Sequence, residues 1–422
     1  MRLDTVSRHP AHLTYCLNVH PGESWAEAFA AIRVHALAVR DWVAPGQRFG
    51  LGLRLSAGAA AELDGDRKAL AEFRKFLREN TLYVFTVNGF PYGRFHGVPV
   101  KEQVYAPDWR DPRRLEYTLR LGRILAALLP RGVPGSISTL PGSYRAWIRT
   151  AADEADVLTG LCRAAAGLAE IRRRTGRTIM LAIEPEPDCL WERTGDLVRL
   201  WRLLRGPGLT PKLAPLCGLR TPDLRHALER HLGVCMDACH AAVNFERPAE
   251  VLKRLAAERI PVAKIQISAA PAGGTDPETV AELAALAEPV YLHQTRVRAA
   301  DGAVTAFADL EPALAAVGRA EIPHLQERRD APSSKGGQEA PSPSEIRTHF
   351  HIPLGLERLG RLRSTRDELD AVFFALLRAG ATRHIELETY TFSVLPEPIR
   401  RDGVAAMLAA EFAWFLREWS PA

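Results

Sequence analysis

Near the end of the chain, Arg383-His384-Ile385-Glu386-Leu387-Glu388-Thr389-Tyr390 alternates strictly. Read as a strand, it sets Ile385 and Leu387 on one face and His384, Glu386 and Glu388 on the other. A buried strand ordinarily carries apolar residues on both faces. Two carboxylates on one face are costly to bury unless something compensates them, and a metal ion is the usual compensation. Other strand-like runs end in a similar way. Thr178 to Pro187 carries Glu184, Leu232 to Asp237 ends on Asp237, and Val262 to Ser268 carries Gln266. Three carboxylates and one amide oxygen form a hard-oxygen donor set. It suits Mn²⁺ or Mg²⁺ best, with Co²⁺ and Zn²⁺ as alternatives.

Such a set fits proton transfer next to a carbonyl. That chemistry needs a base within hydrogen-bond reach and a stabiliser for the enediolate oxygen. A divalent ion is the stabiliser. Glu184 and Glu388, on opposite sides of a site, could remove and return a proton from either face of a carbon. Glu386 sits one layer deeper than Glu388 and is the second choice of ligand. Lys264, one layer below Gln266, is its natural ionic partner. Glu186 follows Pro185 and is read as rim. Other polar residues stand at or near strand ends and are read as substrate contacts: Asn18, His20, Arg54 and Asn88. Four histidines, His96, His293, His349 and His351, lie in loops or irregular stretches and together could line a second metal or substrate shell. The competing view is a buried ion network, with arginines such as Arg54 neutralising the acids. Cys235 and Cys239 match no standard zinc spacing and are read as packed thiols.

The elements that position these residues alternate along the chain. Strand-like runs at 13–20, 49–56, 82–88, 135–142, 178–187, 232–237, 262–268 and 383–390 are separated by helical stretches such as 25–43, 66–79, 113–129, 147–174, 248–258 and 366–379. Eight strand–helix repeats argue for parallel strands with crossover helices, and hence an α/β TIM (β/α)8 barrel with its site at the C-terminal strand ends. A doubly wound sheet is the alternative, but no Gly-x-Gly-x-x-Gly and no phosphate-loop motif support nucleotide binding. A long loop at 89–111 mixes aromatic and basic residues and reads as a lid or substrate wall. The reading is one domain over 1–422, with an insertion at 289–352 before the last strand. Within the insertion, 289–295 and 304–307 form a hairpin around Asp301-Gly302. The stretch 326–344, rich in Pro, Ser, Gly and charge, is expected to lack regular structure.

Composition bounds the class. The chain has 422 residues, 47% hydrophobic and 25% charged, as expected of a globular protein. Its net charge of +5 comes from arginines scattered over helices, which argues against a nucleic-acid stripe. No signal peptide or membrane-length apolar run is legible. Six cysteines without regular spacing suggest free thiols and a cytoplasmic location.

The order Glu184, then Asp237-x-x-His240, then Gln266, then Glu388-x-Tyr390 resembles the xylose-isomerase-like barrel superfamily. More narrowly, His12 to Glu23, Phe90 to Gly97, Gly135 to Pro141, Tyr291 to Gln294 and His349 to Pro353 resemble the bacterial EboE family of metabolite-traffic proteins. The superfamily resemblance implies a sugar isomerase or epimerase. It implies a divalent metal held by Glu184, Asp237, Gln266 and Glu388, Glu184 and Glu388 as proton-transfer bases, and His240 contacting a substrate oxygen. The EboE resemblance implies a place in maturation or export of a secondary metabolite. The expected partner is a small carbonyl or polyol compound, with no nucleic acid and no membrane span. A homodimer and pathway partner proteins are compatible with this reading. The rival functions are a binding or carrier barrel without turnover and an apurinic-endonuclease-like metal hydrolase, which would need more histidine ligands and a basic rim.

Overall fold

The computed structural model describes residues 1–7, 9–319, 322 and 344–420. Eight parallel strands follow one another around a single sheet: β1 (Ala11–Tyr15), β2 (Phe49–Arg54), β3 (Leu82–Asn88), β4 (Gly135–Thr139), β5 (Ile179–Ile183), β6 (Leu232–Asp237), β7 (Val262–Ile267) and β8 (His384–Leu387). β8 pairs with both β7 and β1, and a parallel bridge between Cys16 and Gly52 joins β1 to β2. This order closes a TIM barrel. A short antiparallel strand, Arg2–Leu3, lies against β1.

The alternation seen in the sequence separates two environments. Leu51, Leu53, Ile265, Ile267, Ile385 and Leu387 belong to the main hydrophobic core. The opposite residues meet one another inside the barrel. Thr86 bonds Ser136, His384 bonds Ser136, and the Cys235 thiol reaches Gln266. The sheet therefore buries its polar face in the interior and its aliphatic face in the core. Gly52 shows how tight that interior is: a Cβ there would lie 1.8 Å from Glu386 Oε1 and 2.8 Å from the Tyr15 carbonyl oxygen. Only glycine leaves room for both the barrel closure and the buried carboxylate.

Several boundaries differ from the periodicity reading. β1 ends at Tyr15, and Asn18 lies in a 3₁₀ turn, Leu17–Val19, with His20 just beyond it. The helix expected over 25–43 is three segments, with a π-turn stretch at Ile32–Ala36. The expected hairpin forms, but its strands are Thr295–Arg298 and Val304–Phe307. They join a six-stranded sheet that also recruits Pro271–Gly273, Glu345–Thr348, Arg358–Leu359 and Leu362–Ser364. The addition before β8 thus draws on residues on both sides of 289–352, because short edge strands far apart in sequence pair with it. The stretch 326–344 lies, except for Ser344, outside the described residues.

Candidate functional site

The C-terminal ends of the strands open into a cavity. One wall is polar: Glu184, Glu186, His240, His349, His351 and Glu388. The lining also includes apolar and aromatic residues, among them Phe90, Phe95, Val100, Tyr291 and Tyr390. The Phe95, Tyr291 and Tyr390 rings pack with centroids 5.0–5.4 Å apart.

Glu184 follows β5, Asp237 ends β6 and Glu388 follows β8, so barrel topology brings the three carboxylates together at the C-terminal strand ends. Each offers an oxygen within 4.8 Å of the others, and all three side chains are buried. Asp237 also caps the helix Ala238–Val243. Its Oδ1 accepts from the His240 backbone N–H at 2.9 Å and from Ser268 Oγ at 2.9 Å. Asn18 and Asn88 both donate to Glu388 Oε1, at 2.5 and 3.1 Å. Glu184 Oε2, Asp237 Oδ2 and Glu388 Oε2 have no hydrogen-bond partner among the described residues. Burial, followed by the neighbouring carboxylates, pushes Glu184 and Glu388 well above the usual carboxylate range.

His351 offers a nitrogen donor beside Asp237. Its Nδ1 lies 2.9 Å from the Glu388 carbonyl oxygen, which can only accept, so Nδ1 carries the proton. Nε2 is then a lone pair, buried, without a donor among the described residues, and 4.0 Å from Asp237 Oδ1. Burial holds this imidazole near pKa 4, in its neutral form. The three carboxylates form one set that fits a divalent cation, and His351 forms another with Asp237 and His240.

Among the described residues, no arginine pairs with these carboxylates. Arg54, considered as a neutraliser or substrate contact, pairs instead with Glu23 at 3.0 Å and donates to the Gly22 and Gly93 carbonyls. Its guanidinium clamps the loops around the mouth. Lys264 is fully buried but lies one layer down, 2.5 Å from Glu386. Burial opposes the charge on Lys264; the Glu386 carboxylate outweighs it and holds the ammonium above its ordinary range. Glu386 is therefore committed to the floor, and Glu388 is the strand-eight residue on the cavity wall.

Other expectations are corrected by the register. Gln266, expected as a fourth ligand, aligns with Asp237 and Glu386 and does not line the cavity. Its Oε1 accepts from the Cys235 thiol, and Ser268 occupies the level of Asp237 Oδ1. His20 turns away from the mouth, bonding Tyr15 and stacking on His35 with centroids 4.4 Å apart. His96 lies beside Phe95, outside the cavity wall. His293 supports the wall from behind, bonding Glu288 and the His349 carbonyl.

Glu186, read as rim, is buried. Tyr105 donates to its Oε1 at 2.7 Å, and Gln294 reaches the same oxygen at 3.4 Å. The long loop and the second sheet close over it, which no periodicity reports. His349 and His351 flank Phe350, whose side chain is fully buried. The alternation that puts Glu386 and Glu388 on one face of their strand is present there as well.

The chain matches no protein-family model and no curated protein. Among solved structures it is similar to a xylose isomerase-like TIM barrel protein from Mycobacterium smegmatis in complex with magnesium, at 12% identity over 97% of this chain and 96% of that one, TM-score 0.48. It is also similar to a xylose isomerase domain protein from Alicyclobacillus acidocaldarius subsp. acidocaldarius (12% identity, 96% and 98% covered, TM-score 0.44). A third is an L-ribulose 3-epimerase (9% identity, 97% and 94% covered, TM-score 0.43). These likenesses are distant, and the barrel stands on the strand order of the chain itself. No helix among the described residues is long and apolar enough to cross a membrane.

Proposed function

We propose that this chain is a metal-dependent isomerase or epimerase acting on a small carbonyl or polyol compound. The observation that carries the reading is the set of three buried carboxylates, each with an unpartnered oxygen, converging beside an unpartnered imidazole nitrogen. Glu184, Asp237, Glu388 and His351 would hold the ion, with His351 in the place first read for Gln266. A divalent ion bound there polarises a substrate carbonyl and stabilises negative charge on its oxygen. Glu184 and Glu388 stand on different strands around the mouth and would take and return the proton at the neighbouring carbon. Asn18 and Asn88 fix the Glu388 carboxylate from one side, leaving its other oxygen to act. The aromatic wall excludes water and offers ring faces to the carbon skeleton.

The narrower EboE-like role, in maturation or export of a secondary metabolite, rests on the sequence stretches alone. Six free cysteines agree with a reducing compartment such as the cytoplasm. A metal hydrolase on the same barrel is the second reading, favoured by the histidines gathered at the mouth. Against its nucleic-acid form, Lys101 is the single basic side chain besides histidine on the cavity wall, and it pairs with Asp309 at 2.7 Å.

The test is solvent exchange. Mn²⁺-loaded protein is incubated with a panel of ketoses and cyclic polyol ketones in D₂O, and carbon-bound deuterium is read by mass spectrometry. Incorporation that disappears in Glu184→Gln and Glu388→Gln supports the reading. Failure of the wild type to bind metal in excess Mn²⁺, by elemental analysis, sinks it.

A further inference from the structure

Beside the carboxylates, two imidazoles meet in a way that neutral histidines do not tolerate alone. His240 Nε2 lies 3.0 Å from His349 Nε2. Both residues are buried. The opposite ring nitrogen of each is already assigned. His240 Nδ1 lies 2.9 Å from the Pro185 carbonyl oxygen, which only accepts, so this nitrogen carries the proton. His349 Nδ1 lies 2.7 Å from Gln294 Oε1. The Gln294 amide is oriented by its Nε2, which donates to the Pro187 carbonyl at 3.1 Å and to Tyr105 Oη at 2.5 Å. Its Oε1 is therefore an acceptor, and His349 Nδ1 is also protonated. Two Nε2 lone pairs then face each other at hydrogen-bond distance with no proton between them.

Something positive must sit at that junction. Two nitrogens on metal bonds of about 2.0–2.1 Å stand roughly 3.0–3.4 Å apart at cis to tetrahedral angles. The observed separation falls in that range. A carboxylate stands beside the pair: Glu186, His240 and His349 each offer a ligand atom within 4.8 Å of the others, with Glu186 Oε1 3.5 Å from His349 Nδ1. Tyr105 and Gln294, which bond Glu186 Oε1, also orient the His349 side of the group. The hydrogen bonds behind each ligand are those that set a metal-binding tautomer.

We propose that His240, His349 and Glu186 hold a second divalent cation, separate from the one at Glu184, Asp237 and Glu388. A nitrogen-rich set of this kind takes Zn²⁺ or Co²⁺ in preference to Mg²⁺. The two ions would be neighbours, since His240 Nε2 lies 3.9 Å from Asp237 Oδ1. The proposal does not depend on the isomerase reading, because it uses none of the residues assigned to proton transfer.

The full chain, stripped with chelator and dialysed, is titrated with Co²⁺. Bound metal is counted by elemental analysis, and visible absorption reports the ligand set. The wild type should take up about two equivalents per chain. His349→Ala should lose one equivalent and the absorption of the nitrogen-rich centre while keeping the other. Glu388→Gln should lose or weaken the other equivalent and keep that absorption. Glu186→Gln, which leaves a side chain able to bond Tyr105, should weaken the same equivalent as His349→Ala at least tenfold. This variant carries the test if His349→Ala does not fold. One equivalent that His349→Ala and Glu186→Gln abolish and Glu388→Gln spares would support this site while failing the carboxylate one. One equivalent lost in Glu388→Gln but untouched by His349→Ala and Glu186→Gln would overturn the proposal, leaving a shared proton to occupy the histidine pair. No uptake at all would overturn both sites.

Discussion

The floor and the mouth of the barrel hold the same kind of residue under opposite conditions. On the floor, Glu386 is buried and Lys264 lies 2.5 Å away, so the chain supplies its own counter-charge. At the mouth, Glu184, Asp237 and Glu388 are equally buried, two asparagine donors reach Glu388 alone, and each acid keeps an oxygen without a hydrogen-bond partner among the described residues. A few ångströms along the same strand separate a closed ion pair from an open anion cluster. The chain neutralises the layer that only has to be stable. It leaves unneutralised the layer that faces the cavity, where an added cation or a proton must complete the charge balance. Glu386 Oε1 and Oε2 also lack hydrogen-bond donors among the described residues, so what separates the layers is the lysine: buried carboxylates point to a site where no counter-charge stands beside them.

The contrast can be broken most forcefully at the floor. Lys264→Met leaves Glu386 as a buried, uncompensated charge and should destabilise the protein by roughly 3–5 kcal/mol. Denaturant unfolding at neutral pH reads this; a loss under about 1 kcal/mol would mean that water or another residue already shares the charge.

A next test uses a carboxylate that is half matched. Glu411 is fully buried. Its Oε1 accepts from the Leu354 N–H and from Thr389 Oγ1, while Oε2 has no partner among the described residues. Burial raises its pKa to about 7. A raised acid contributes stability below its ordinary pKa and loses it as pH rises through the folded value. The wild type should lose on the order of 3 kcal/mol from this residue between about pH 4.5 and pH 7. Glu411→Gln keeps the acceptor, removes the charge and should flatten that part of the stability–pH curve. A curve parallel to the wild type would reassign the titration to other groups.

The smallest effect sharpens the mouth. In metal-free protein, Glu388→Gln removes an ionisation that burial and the neighbouring acids oppose and should raise stability by about 1 kcal/mol at high pH, even as it weakens metal uptake at the carboxylates. Since Glu184 and Glu388 sit high in pKa, metal must displace their protons. Affinity should rise with pH, and calorimetry in buffers of different ionisation enthalpy should show proton release near neutral pH. Equal heats in all buffers would mean that the acids were already ionised and the cluster compensated from within the chain.

Much of this was legible without coordinates. Strict alternation in His384 to Glu388, and carboxylates at the ends of the runs through Glu184 and Asp237, marked the strands and the acids together. Lys264 and Glu386 were readable as partners because both lie one step below a strand-end polar residue. The readings that failed share a cause. His20 lies beyond a strand that stops early, so its face could not be extrapolated from Leu13 and Tyr15. Arg54 carries a long side chain, and its length let it leave the barrel axis for Glu23. Gln266 has the right parity and pairs in register with Asp237, but its amide oxygen is taken by the Cys235 thiol, a contact that parity alone does not report.

The amino-acid order by itself determined the barrel and the identity of its acids, since a period of two along each strand and the strand–helix alternation are local properties. Tertiary structure alone decided that Glu186 lines the cavity and that, of the four histidines offered by the sequence, His349 and His351 line it. They lie in segments without a repeating backbone, where side-chain direction is set by contacts. Those contacts come from residues far along the chain: Tyr105 from the long loop, Gln294 ahead of the second sheet and the Glu388 carbonyl after β8.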